Sequence, residues 1–130
     1  MTNSILIGKA IRSILGAQLS TKVFPLVADN GTNFPFICYT RESITEDTPT
    51  KDGSIGDIVI VRVDVVADTY NESITIANSV RHILEKPLHI TEGLKIEDMF
   101  LSGIDESWDS DTYIQRMRFT CYVTDIIQNI

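Results

Sequence analysis

The sequence predicts an α+β fold, a largely antiparallel β-sheet of two long hairpins with two amphipathic helices packed on one face. Three observations carry that expectation. Residues Ile58 to Ala67 alternate strictly, with Val59, Val61, Val63 and Val65 on one side and Arg62 and Asp64 on the other. A period of two in β-branched residues is the signature of a half-buried strand. Residues Tyr113 to about Ile126 alternate in the same way, with Met117, Phe119, Cys121 and Val123 facing in and Arg116, Arg118, Thr120, Tyr122 and Thr124 facing out. Between them, Ile76, Ala77, Val80, Ile83 and Leu84 recur at helical spacing after Thr69-x-x-Glu72, the pattern of a capping box.

The remaining elements follow in chain order. Ile7, Ala10, Ile11, Ile14 and Leu15 make the apolar stripe of a helix over residues 5–15, with Asn3 or Ser4 as N-cap and Gly16 as its end. Residues 23–27 are extended, and Asn30-Gly31 marks a turn. A strand runs from Phe34 to about Glu42, and Pro35 places its start at an edge or strand end. Residues 43–56, polar and containing Pro49, Asp52-Gly53 and Gly56, form a long hairpin tip. Pro87 stops the second helix. The strand over residues 94–103 alternates irregularly, which implies a bulge. The acidic loop 105–111 then reverses the chain into the last strand.

Composition narrows the function. One domain spanning residues 1–130, with 43% hydrophobic residues, can bury a core without disulfides or metal. A net charge of −7 argues against a nucleic-acid binder or a protein docked on anionic lipid. It does not argue against a protein that lets DNA slide past without sticking. The two cysteines, Cys38 and Cys121, lie in apolar strand patterns and read as buried thiols. No apolar run reaches the length of a membrane span. The N-terminus has no basic start and Lys9 and Arg12 interrupt the stretch after it, so the expectation is a cytosolic protein.

No catalytic constellation emerges, and the expectation is a protein that is not an enzyme and uses no cofactor. His82 and His89 stand at no ligand spacing to each other or to a cysteine. There is no nucleophile elbow, no Walker loop and no dinucleotide fingerprint. Asp105, Glu106, Asp109 and Asp111 are the one acidic group with oxygen ligands to offer a divalent cation, although a solvated turn is the simpler reading. Trp108 among these acids either folds back on the core or anchors a partner. Candidate interface residues are therefore Trp108, Asp109 and Asp111 in the acidic loop, and Arg41, Glu42, Glu46, Asp47 and Lys51 in and beside the polar arm.

An ordered set of segments resembles the tail completion, or tail terminator, family of siphophage-like tails. It comprises the first helix followed by Val23-Phe24-Pro25, then Asn33-Phe34-Pro35-Phe36-Ile37-Cys38-Tyr39. Val61-Arg62-Val63-Asp64-Val65-Val66-Ala67-Asp68-Thr69-Tyr70 runs into a helix carrying Ala77-Asn78-Ser79-Val80-Arg81. The last is Tyr113-Ile114-Gln115-Arg116-Met117-Arg118-Phe119. The tip at 43–56 departs from the family pattern. The resemblance implies a small α+β subunit that forms a ring, usually hexameric, at the head-proximal end of the tail tube. Its implied partners are further copies of itself, the tail tube protein and the head connector protein, with DNA passing through the lumen unbound and no membrane involved. Its implied location is the host cytoplasm during assembly and then the neck of the virion. Another head–tail connector or minor tail component is the nearest alternative, and a small-ligand-binding α+β domain a more distant one.

Overall fold

The computed structural model describes residues 3–29, 31–47 and 56–125. A 3₁₀ turn at Ser4–Leu6 leads into α1 (Ile7–Gln18), then β1 (Lys22–Pro25), β2 (Phe36–Asp47), β3 (Gly56–Ala67), α2 (Tyr70–Leu84), β4 (Leu88–Thr91), β5 (Leu94–Asp109) and β6 (Thr112–Asp125). The six strands form one sheet in the order β1-β2-β3-β6-β5-β4. Both expected hairpins, β2–β3 and β5–β6, are present, and β3 and β6 pair antiparallel at the centre. Two strands depart from expectation. β1 pairs parallel to β2, and β4 adds a short antiparallel edge, so the sheet is mixed.

Alternation decides which face is covered. Val59, Val61, Val63 and Val65 lie opposite Cys121, Phe119, Met117 and Gln115, and all eight are buried. Ile7, Ala10, Ile11, Ile14 and Leu15 of α1, with Ala77, Val80, Ile83 and Leu84 of α2, close that face. Ile76 is only partly buried, while Ser73 completes the stripe one turn earlier. The four large aliphatics of α1 alone contribute on the order of 6–12 kcal/mol of gross transfer energy, before the entropy of ordering is subtracted.

The ends of α1 differ from their sequence signals. α1 starts at Ile7 with Leu6 as N-cap and no side-chain capping bond, because the Ser4–Leu6 turn leads the chain in and Ser4 is buried. Gly16 lies inside α1, and its position opens on space where a Cβ would meet nothing within 4 Å. α2 follows its signal: Thr69 Oγ1 accepts from the Glu72 amide at 3.3 Å, the threonine half of the box.

Bulges curl the sheet. On β2 the register shifts between Arg41 and Ser43, leaving Glu42 as the extra residue. On β5 it shifts twice, between Glu97 and Phe100 and between Leu101 and Gly103, with Asp98 at φ 52°. At the second shift the Leu101 amide donates to Glu85 Oε2, 2.9 Å away at the end of α2. That bond, ahead of the neighbouring Arg81, holds the Glu85 carboxyl below its ordinary range.

The loop expected at 105–111 is mostly strand. Pairing runs on to Asp109 opposite Thr112, and only Ser110 and Asp111 form the turn, at φ 50° and 65°. Two consecutive positive φ values give the tight turn whose twist matches a hairpin. The polar tip likewise shrinks: Glu46 and Asp47 pair with Asp57 and Gly56, so β2 and β3 extend into the region expected to be loop. Lys51 lies outside the described residues.

Candidate assembly surfaces

Three surfaces stand out among the described residues. The first is the outer face of the sheet. Arg118 reaches Glu42 at 2.8 Å and Asp105 at 3.9 Å, and Arg116 meets Asp105 at 3.1 Å. Arg62 Nε stands 3.2 Å from Asp64 Oδ1, an ion pair bent away from hydrogen-bond geometry. Arg62 and Arg118 are direct cross-strand neighbours, as are Asp64 and Arg116. Like charges opposite one another repel, and the interleaved carboxylates offset this. The face therefore carries matched charges rather than a basic stripe.

At one end of this face the segment after β1 folds over the sheet. The Leu26 amide donates to the Tyr39 carbonyl at 2.8 Å, and Phe34 stacks on Phe36 with ring centres 5.6 Å apart. Beneath lies an open hollow of about 460 Å³ walled by Leu26, Phe34, Phe36, Cys38, Arg62 and Asp64, among others. Burial pushes the Asp64 carboxyl up, against the pull of Arg62 and Arg116. Burial also raises the Cys38 thiol, and the Asp64 charge adds to it.

The second surface is the end of the β5–β6 hairpin. Trp108 is 59% exposed and Ile104 51%, so neither folds back on the core. Tyr70 and Ile74 at the start of α2 are also exposed. Below them, Tyr70 Oη donates to Glu106 at 3.0 Å and Gln115 Nε2 donates to the same carboxylate at 2.9 Å. Gln115 also reaches Ser73 Oγ at 3.3 Å, which ties the hairpin to the first turn of α2. The Glu106 hydrogen bond raises the Tyr70 phenol. Trp108 thus stands on a braced hairpin, with Asp109 and Asp111 following it into the turn.

The third surface lies at the opposite edge of the sheet. Arg12, Gly16 and Leu19 of the α1 region, with Lys22, Val23 and Phe24 of β1, border an open cleft of about 330 Å³. Among the described residues neither Arg12 nor Lys22 has a salt-bridge partner.

The candidate interface residues divide accordingly. Arg41 donates to the Ile5 carbonyl at 3.1 Å, and Glu42 is held by Arg118, so both serve the fold. Glu46 and Asp47 stand on paired strand at the far end of the β2–β3 hairpin. Trp108, Asp109 and Asp111 come together at one tip. The acids of 105–111 do not converge: Asp105 pairs outward with Arg116 while Glu106 turns to the helix side. Among the described residues no group of three or more His, Cys, Asp or Glu side chains could hold a metal ion. His89 is buried on β4 with Nε2 2.9 Å from the Leu84 carbonyl. The cleft residues Arg12 and Lys22 carried no sequence signal, because each looks like an ordinary solvated charge on its own element.

Against known proteins, no family model matches the chain, and no curated protein matches its sequence. Solved structures do match in fold. One is a chain from the virion of a native gene transfer agent particle. It aligns with a TM-score of 0.65 at 16% identity, covering 87% of this chain and 83% of that one. A second solved chain, whose name describes no function, aligns with a TM-score of 0.63 at 12% identity over 97% of this chain and 99% of the other. At such identities what is shared is the fold.

Proposed function

We propose that this chain is a structural protein of a phage or phage-like particle, not an enzyme. In this reading it forms a ring at the head-proximal end of the tail tube, stops tube polymerisation and offers the surface to which the head joins. The observation that carries the reading is the fold likeness, along most of both chains, to a virion chain of a gene transfer agent particle. The ordered motifs described above favour the terminator role within that class. Physical features support it. The arginines of the outer face are engaged by carboxylates, so that face holds few free cations for phosphate. Trp108 and Ile104 are exposed apolar side chains on the β5–β6 hairpin, where a neighbour can reach them. A closed ring needs heterologous contacts, one patch meeting a different patch on the next copy. The partners in this reading are further copies, the tail tube protein and the head connector.

The virion likeness equally suits another head–tail connector or minor tail component. Electron microscopy of particles made without the gene separates the two. A terminator gives tails of uncontrolled length that fail to join heads. Tails of normal length would sink the terminator reading, and fully normal particles the virion role altogether.

A further inference from the structure

The geometry points to a specific head-to-tail contact between copies: the β5–β6 hairpin end of one copy, led by Trp108, Asp109 and Asp111, seats in the α1–β1 cleft of the next, between Arg12 and Lys22. This deepens the ring reading by naming the two faces that meet, and the contact can be tested apart from the particle.

Four observations carry it. The first is apolar fit. Trp108 is 59% exposed on a braced hairpin, and the cleft offers about 330 Å³ floored by Leu19, Val23 and Phe24. A tryptophan is the side chain with most to gain from such burial, and it is enriched among residues that dominate binding. The second is charge. Asp109 and Asp111 follow Trp108 at the same hairpin end, and Arg12 and Lys22 border the cleft with no salt-bridge partner among the described residues. Seating one in the other pairs all four charges and places a cation near an aromatic face. The third is position. The cleft is at the β1 edge of the sheet, while the hairpin lies across β2 and β3 from it, so a copy cannot fill its own cleft. A contact between different patches repeats in one direction, which is what a ring requires. The fourth is the turn. Ser110 and Asp111 hold left-handed backbone without glycine, so both turn positions present a polar side chain at the tip.

Disulfide trapping tests the contact and does not need a long-lived oligomer. The native cysteines are buried, and burial pushes Cys121 up to about 12, so introduced thiols react alone. Asp109→Cys and Gly16→Cys place one thiol on each face at exposed positions. The variant carrying both should oxidise to a ladder of dimer, trimer and larger species. A mixture of the two single variants should stop at dimers, and each single variant alone should stay monomeric. Arg12→Glu with Lys22→Glu in the ladder-forming chain should cut its yield at least tenfold. Gly16→Gln in the otherwise native chain, which plugs the cleft from an open helix position, should abolish any self-association seen by sedimentation while keeping the native circular dichroism. No ladder, or single variants that cross-link as well as the mixture, overturns the contact. The particle experiment separates the two proposals. A ladder with normal tails in the gene deletion keeps the contact and removes the ring role. Uncontrolled tails without a ladder keep the role and remove the contact.

Discussion

Val63→Asp is the sharpest test of how the sheet is faced. Val63 is fully buried, between Tyr39 on β2 and Met117 on β6. Its neighbour Asp64 already carries a carboxylate on the opposite face. Replacing the valine removes about 1.5–3 kcal/mol of apolar burial. The new carboxyl must then ionise in the core or take up a proton. Burial raises such a pKa by roughly 3–5 units, so at pH 7 the group folds protonated. Protonating it from an unfolded pKa near 3.9 costs about 4 kcal/mol at pH 7 and about 1.5 at pH 5. The total at pH 7 is about 6 kcal/mol, comparable with the whole stability of a small domain. The sign follows from linkage: the folded state holds the extra proton, so stability falls as pH rises between the unfolded and folded pKa values. Urea denaturation of the variant and the native protein at pH 5 and pH 7 measures both effects. The variant should be marginal or unfolded at pH 7 and recover about 2–3 kcal/mol, relative to native, at pH 5. Ile60→Thr, on the outer face opposite Thr120, should cost less than about 1.5 kcal/mol. A Val63→Asp chain within about 1 kcal/mol of native at pH 7 would refute the assignment of faces.

Further outcomes follow from single contacts. Thr69→Ala removes the cap of α2 and should cost about 1 kcal/mol, read as a fall of a few degrees in Tm. Glu85→Ala leaves the Leu101 amide at the β5 bulge without its acceptor and should cost about 1–3 kcal/mol by urea denaturation. Because the Glu85 carboxyl is held below its ordinary range, its contribution is present above the unfolded pKa and is lost as pH falls through the folded one, so the variant should narrow its gap to native in acid. Asp64 has the opposite sign: its pKa is raised, so Asp64→Asn should make stability fall less steeply as pH rises above about 4, measured by the same titration. Ser110→Asn with Asp111→Gly should raise stability by about 1 kcal/mol, since Asn-Gly suits this turn, while weakening association between copies in sedimentation.

Much of this architecture is legible in local pattern. Val59 to Val65 and Met117 to Val123 announce their faces, and Thr69 with Glu72 announces the start of α2, because each signal lies within one element. β5 is not legible to its end. Its bulges at Asp98–Met99 and Ser102 break the alternation, and without glycine at Ser110-Asp111 the turn looks like part of a longer acidic loop. β4 is four residues following a proline, too short for a period to show. The parallel placement of β1 depends on a return path through residues 26–35 that no local rule specifies. At the surfaces, Trp108 stood out because an indole among acids is unusual. Arg12 and Lys22 did not, since they border one cleft only after α1 and β1 have docked.

The sheet stops at four-residue strands on both sides. A long bare edge would accept any extended chain, including a second copy in the wrong register, and such growth has no natural end. Here β1 covers only Phe36–Tyr39 of β2 and β4 only Leu94–Glu97 of β5, and the stretches beyond them are broken by the bulges at Glu42 and on β5, which spoil a regular edge as a template. Association is thereby handed to side chains, which recognise a shape and a charge rather than the common grammar of the peptide bond. A chain built this way can stay dispersed at high concentration and still join a partner that offers the matching surface.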